Sequence, residues 1–247
     1  MNALLRRRVR VALTLLILLA GATSACAADP PQGNPPGRGV RTIILVRHGL
    51  YDPDDAQDPD VGLGLNQEGR AQAQATAQRF TNYPLHVDAI YTSTMTRARQ
   101  TADIIAPALK LSAQRSRLIR ECTPPTERAD IMAREKPGEP EACRDTLELA
   151  WKRFFRPSPE RDSTEVLVCH GNVIRWFTAR AIGLEDAKWL RLGLGNCSLT
   201  TIRVRPDGTT QLLQYADVGH LSAKLQERLW FPAPPATPAR TDTTARR

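Results

Sequence analysis

The chain has 247 residues, 41% hydrophobic and 24% charged, which suits a globular protein with a substantial core and excludes a disordered or fibrous one. Its formal charge is +8, and Arg6, Arg7, Arg8 and Arg10 supply half of that ahead of the first acidic residue, Asp29. The other basic residues are scattered and lack interleaved aromatics, which excludes a nucleic-acid-binding surface and leaves a modest attraction for anionic substrates.

In chain order, the basic start runs into the apolar stretch Val11 to Ala20 and then into small residues around Ala25-Cys26-Ala27. This pattern predicts a secretory signal peptide over residues 1–27, too short for a comfortable membrane span. It predicts an exported protein, periplasmic or secreted, with no stable membrane insertion after leader removal. Lipid anchoring through Cys26 is the alternative, although Thr23-Ser24-Ala25 lacks the usual preceding leucine. Residues 28–39 are a Pro/Gly-rich linker. Residues 40–230 form one domain, and 231–247, opening with Phe231-Pro232-Ala233-Pro234-Pro235, form a disordered tail.

Thr42-Ile43-Ile44-Leu45-Val46 is a β-branched apolar run that reads as a buried strand and ends in Arg47-His48-Gly49. Asn66 caps an alanine- and glutamine-rich helix reaching Phe80, with Ala71, Ala75 and Phe80 facing inward. Val87 to Tyr91 is a short strand leading into Thr92-Ser93-Thr94-Met95-Thr96, and Arg97 to Ala106 is a helix with Pro107 at or inside its end. Leu118-Ile119 is a minor strand before Glu121. Pro124 to Pro140 is loop with at most one helical turn, and Leu147 to Phe155 is amphipathic. Thr164 to Cys169 repeats the apolar strand pattern and ends in His170-Gly171-Asn172, followed by a helix over Val173 to Ile182. Ser198 to Val204 and Thr210 to Tyr215 flank Pro206-Asp207-Gly208 as a hairpin. Strands alternating with helices predict a three-layer α/β/α sandwich with a mostly parallel central sheet.

Of the cysteines beyond the leader, Cys169 lies in a strand as a buried apolar residue. Cys122 and Cys143 fall in the irregular middle segment, either bridged or as two free thiols, and no pair has metal-ligand spacing.

Two strand-end histidines, each followed by glycine, carry the functional reading, because ligands of open α/β sheets collect beyond the carboxyl ends of the strands. Arg47 and Arg97 offer forked donors to a phosphoryl group, and His170 adds a third contact. His48 is the candidate nucleophile, attacking phosphorus through a neutral ring nitrogen to give a phosphohistidine. Glu121 is the carboxyl candidate for protonating the leaving oxygen. His86 and His220 have no partner pattern and read as structural. The scheme calls for no metal and no cofactor, and its partner is a phosphorylated substrate.

Three blocks resemble the histidine phosphatase superfamily, which includes the phosphoglycerate mutases: Leu45-Val46-Arg47-His48-Gly49, Tyr91-Thr92-Ser93-Thr94-Met95-Thr96-Arg97-Ala98-Arg99-Gln100-Thr101-Ala102 and Val168-Cys169-His170-Gly171-Asn172. Cys169 to Arg175, Trp189 to Leu192, Asn196 to Thr200, Arg120 to Pro124 and Asp217 to Gly219 are similar to its mitochondrial Ser/Thr phosphatase branch. The resemblance implies a phosphoglycerate mutase-like fold, a nucleophilic His48, an acidic Glu121, and phosphoryl binding by Arg47, Arg97 and His170. It implies hydrolysis of phosphoserine, phosphothreonine or a small phosphomonoester; a homodimer is left open. Two alternatives accompany it, mutase-type phosphoryl transfer and a non-catalytic phosphate- or phosphopeptide-binding module. The short acidic stretch between Glu121 and His170 counts against a mutase, whose longer insertion there carries basic residues.

Overall fold

The computed structural model describes residues 38–52, 61–82 and 85–230. The expectations of a signal peptide, a tail and most of the linker lie outside these residues. Strand β1 (Arg41–Arg47) is followed by helix α1 (Gln67–Asn82), β2 (Ala89–Ser93) and α2 (Thr96–Leu109). Then come a short β3 (Gln114–Ser116), a single turn α3 (Ala129–Met132), α4 (Glu139–Phe154), β4 (Ser163–Cys169) and α5 (Gly171–Ala181). The hairpin β5 (Leu199–Val204) and β6 (Thr210–Asp217) precedes α6 (Ala223–Trp230).

The six strands form one sheet in the order β3-β2-β4-β1-β5-β6. β1 pairs in parallel with β4, and β2 in parallel with both β4 and β3, whereas β5 and β6 run antiparallel. The sandwich is therefore mostly parallel, as expected. Alternating residues of β1 feed two cores: Ile43 and Leu45 pack with Leu147, Phe154 and Phe177 of α4 and α5. Ile44 and Val46 pack with Phe80, Ala98 and Ile105 of α1 and α2. A strand buried on both faces reads as a continuous apolar run, which is why β1 and β4 were legible.

Three local expectations need correction. Leu118-Ile119 is not a strand: Arg117–Ile119 is a 3-10 turn whose Leu118 amide is taken by the Ser116 hydroxyl, and the strand lies just before it. Cys143 is not in irregular chain, because α4 begins at Glu139 with Pro140 in its first turn, where a missing N–H costs nothing. The buried face of α1 is Gly69, Gln72, Ala73, Thr76 and Phe80, leaving Ala71 and Ala75 partly exposed. An apolar-only reading misses that face: Gln72 bonds Leu50 N and Leu225 O, and Thr76 bonds Gln72 O and His220 Nε2. Just before β1, Gly39 pairs with Ser158 in an isolated antiparallel bridge.

Candidate active site

β1 and β4 lie side by side with Arg47 opposite Cys169, so the next residue of each strand emerges at the same rim. The His48 amide donates to Cys169 O at 3.0 Å, and the two buried imidazoles face each other with ring centroids 5.1 Å apart. The turn after β1 is clamped on both sides. Gly49 N donates to Thr101 Oγ1 of α2 at 3.0 Å, and Asn196 Nδ2 donates to His48 O at 2.9 Å. Gly49 also crosses α1 so closely that a Cβ there would lie 2.4 Å from Gly69 O, and one on Gly69 would lie 1.9 Å from Leu50 O. Only two glycines allow that approach.

The tautomer of His48 follows from its partners. Nδ1 is 2.8 Å from Gly49 O, and a carbonyl only accepts, so Nδ1 carries the proton. Nε2 is left with its lone pair, into which Arg97 Nε donates at 3.2 Å. Burial, then the charges of Arg47 and Arg97, hold the imidazole well below its ordinary range, so it is neutral. Tyr51 packs edge-on against His48 at 5.4 Å, and its ring lies under the Arg97 guanidinium at 4.7 Å.

His170 Nε2 lies 2.8 Å from Ser93 Oγ, and this ring too is held well below its ordinary pKa, by burial and then by His48, Arg97 and Arg47. Arg47 is anchored through Nη1 to Leu194 O at 2.8 Å. His170 Nδ1 and Arg47 Nε are buried without a hydrogen-bond partner among the described residues. An unpartnered buried polar atom costs about 1–3 kcal/mol. An oxyanion bound here would supply acceptors for such groups.

Glu121 sits on the loop after the 3-10 turn, and its Oε1 accepts from the Asn172 amide at the start of α5, 3.2 Å away. Dense packing around the carboxyl raises its pKa, against the lowering effects of Arg47, Arg97 and the Asn172 amide. Asn172 acts twice, since its Nδ2 also donates to Cys122 O at 3.3 Å while its Oδ1 accepts from Arg175. Glu121 opens into a cavity of about 550 Å³ lined by Arg117, Thr123, Thr146 and the Cys122–Cys143 disulfide. Among the described residues no group of three or more His, Cys, Asp or Glu is placed to hold a metal ion.

The five residues singled out in the sequence thus lie within reach of one another's charge. Arg47, His48, Arg97 and His170 share the rim, and the charge of Glu121 acts on Arg47. His86 stands apart, 3.3 Å from Asp88 and exposed, and His220 bonds Thr76. Sequence reasoning missed Tyr51, Ser93, Asn172, Arg175 and Asn196. Ser93 ends β2, Asn172 and Arg175 lie at the start of α5, and Asn196 precedes β5; these four fall inside the blocks that carry the family resemblance, but no periodicity gave any of them a role, and Tyr51 had no cue at all.

The family model of the histidine phosphatase superfamily (branch 1) matches residues 43–148 and 141–217. The chain is 37% identical over 189 residues to the mitochondrial Ser/Thr protein phosphatase Pgam5 of Caenorhabditis briggsae, and 38% identical over 189 residues to that of Caenorhabditis elegans. Each alignment covers 74% of this chain but only 65% and 64% of the relative, so the chain spans just under two thirds of their length. A solved phosphoglycerate mutase of Plasmodium falciparum superposes with a TM-score of 0.53 at 26% identity, covering 75% of this chain and 96% of that one. The fold is phosphoglycerate mutase-like. The relatives bear mitochondrial names, and this overturns the expectation of export to a periplasmic or secreted location, including the Cys26 anchor. The physical reason is that a basic, acid-free N-terminus is common to secretory leaders and mitochondrial transit peptides, so charge alone does not separate them. Among the described residues no helix is long and apolar enough to cross a membrane.

Proposed function

Because the chain belongs to the histidine phosphatase superfamily, we propose that it is a metal-independent phosphomonoester hydrolase working through a phosphohistidine at His48. The observation that carries this reading is the buried His48 ring, its Nδ1 against Gly49 O and its Nε2 facing Arg97 Nε at 3.2 Å, beside His170 and the half-buried Arg47.

Phosphoryl transfer needs mainly positive charge on the equatorial oxygens and alignment of nucleophile and leaving group. Arg47 and Arg97 supply the charge with forked donors, and His170 Nδ1 adds a neutral one. His48 Nε2 attacks phosphorus while the bond to the leaving oxygen breaks, and that oxygen takes the proton of the Glu121 carboxyl. A water then attacks the phosphohistidine, the Glu121 carboxylate takes its proton, and the P–N bond breaks to release inorganic phosphate and neutral His48. The raised pKa of Glu121 suits both halves, because the group must give a proton first and accept one later.

The leaving group occupies the cavity on the Glu121 side. Its volume of about 550 Å³ suits a phosphoserine or phosphothreonine side chain with neighbouring residues, or a small phosphomonoester. Phosphorylated Ser/Thr substrates are in keeping with the names of the Pgam5 relatives.

Purified protein is expected to hydrolyse para-nitrophenyl phosphate in the presence of EDTA, and acid quench during turnover should trap phosphate on the protein. His48→Ala should lower kcat by at least about 10³-fold and abolish the trapped phosphate. Turnover by the alanine variant equal to wild type would remove His48 from the nucleophile's role. Phosphate binding without turnover in the wild type would favour the non-catalytic binding module instead.

A further inference from the structure

The Cys122–Cys143 disulfide joins the residue next to Glu121 to helix α4, and no part of the proposed chemistry uses it. Cys143 is buried in the core that α4 shares with α5, so one end of the cross-link is fixed. Its other end lies on a turn with little support of its own. From Glu121 to Pro124 no backbone–backbone hydrogen bond is made among the described residues. The turn is held by Asn172 at Glu121 and Cys122 and, further on, by Trp189 Nε1, which donates to Pro125 O at 2.9 Å. Between these holds, the disulfide is the covalent tie that sets where the Glu121 backbone lies. Cys122 is only half-buried and lines the same open cavity as Glu121, so small reductants reach it.

We propose that Cys122 and Cys143 are positioning residues for Glu121, and that their disulfide makes proton delivery to the leaving group sensitive to thiol redox state. In the oxidised chain the carboxyl is held against the start of α5. A dithiol reductant transfers two electrons and two protons to the two sulfurs, giving two thiols and the reductant's own disulfide. The turn then keeps only its Asn172 and Trp189 hydrogen bonds, and the carboxyl samples positions away from the leaving oxygen. Displacement by about 1 Å suffices to cost a large factor in rate, and the loss falls on substrates that need a proton.

This inference rests on the reading of Glu121 as the acid, and one experiment separates the two. kcat is measured on para-nitrophenyl phosphate, whose leaving group needs little protonation, and on a phosphoserine peptide, whose alkoxide needs it. The proteins compared are the oxidised wild type, the wild type reduced with dithiothreitol, Cys143→Ser, and Glu121→Gln. Melting curves establish which of them are folded at assay temperature, and reduction of the wild type serves as the second route should Cys143→Ser not fold. Reduction and Cys143→Ser are expected to lower kcat on the peptide on the order of tenfold and on para-nitrophenyl phosphate less than about twofold. Dithiothreitol should have no further effect on Cys143→Ser. If Glu121→Gln discriminates between the substrates but reduction does not, the cross-link has no positioning role. If Glu121→Gln itself shows no leaving-group dependence, the acid assignment falls and this inference with it.

Discussion

At the scale of single residues, the protonation of His48 and Glu121 sets the pH behaviour. In the proposed mechanism His48 must be neutral to attack, and burial with two neighbouring arginines holds its pKa well below the ordinary imidazole range. Falling from pH 7 to 6 should therefore not reduce kcat/KM through His48. In the same mechanism Glu121 must be protonated to donate, and its pKa is raised, so activity on a poor leaving group should fall as pH rises through that value. A pH–rate profile on a phosphoserine peptide should show this alkaline limb, and Glu121→Gln, which cannot ionise, should flatten it at about 10²-fold lower kcat. An unchanged limb in the glutamine variant would assign the titration to another group. His48 and His170 were legible in the sequence because each follows a strongly apolar strand and precedes glycine. Glu121 had only an irregular neighbourhood, and its place against α5 depends on Asn172, a contact that no spacing encodes.

At the scale of elements, the turn after β1 depends on how closely it crosses α1. Gly49 and Gly69 meet backbone to backbone, and a Cβ on Gly69 would be 1.9 Å from Leu50 O, with no flexible side chain available to move aside. Gly69→Ala should cost about 3 kcal/mol, lowering Tm by roughly 6–12 °C in a domain of this size. Ala73→Gly in the same helix should cost about 1 kcal/mol, from its poorer helix propensity. Thermal melts of the two variants give the comparison, and a Gly69→Ala protein no less stable than Ala73→Gly would refute the close crossing. Helix α1 was predicted within two residues of its end, from its cap and its propensity. Its inward face was not, because Gln72 and Thr76 are buried through hydrogen bonds that an apolar pattern does not reveal. The start of α4 was missed for a related reason: Pro140 suggests a break, yet in a first turn it is compatible with a helix.

At the scale of the whole molecule, the site sets a term in the pH dependence of stability. His48 and His170 both have folded-state pKa values well below the ordinary imidazole value. Above that value both folded and unfolded forms are neutral and stability from this source is intact. As pH falls below about 6.5 the unfolded chain takes up protons first, so stability is lost down to the folded-state pKa values. Glu121 acts in the opposite sense: its raised value favours the folded state at low pH, and that contribution fades as pH rises through it. With two histidines against one carboxyl, Tm should fall between pH 6.5 and 5, and His48→Gln should lessen the slope. A slope unchanged in His48→Gln would place the acid sensitivity elsewhere. The layer order and mostly parallel sheet were legible from the alternation of strand and helix, since each crossover in such a sheet needs a helix. The cellular setting was not, because it rested on a charge pattern shared by different targeting signals.

The pairing of β1 with β4 in register from Arg41↔Ser163 to Arg47↔Cys169 has a consequence for biosynthesis. His48 leaves the ribosome early, but His170, which shares its rim, is made more than a hundred residues later, and the intervening loop must close before the two strands meet. A nascent or truncated chain ending before β4 therefore carries the reactive imidazole without the burial and neighbours that prepare it. A one-residue slip in that pairing would turn every β1 side chain to the opposite layer and carry His48 away from its partners. If His48 acts as proposed, its rim is complete only once the sheet is.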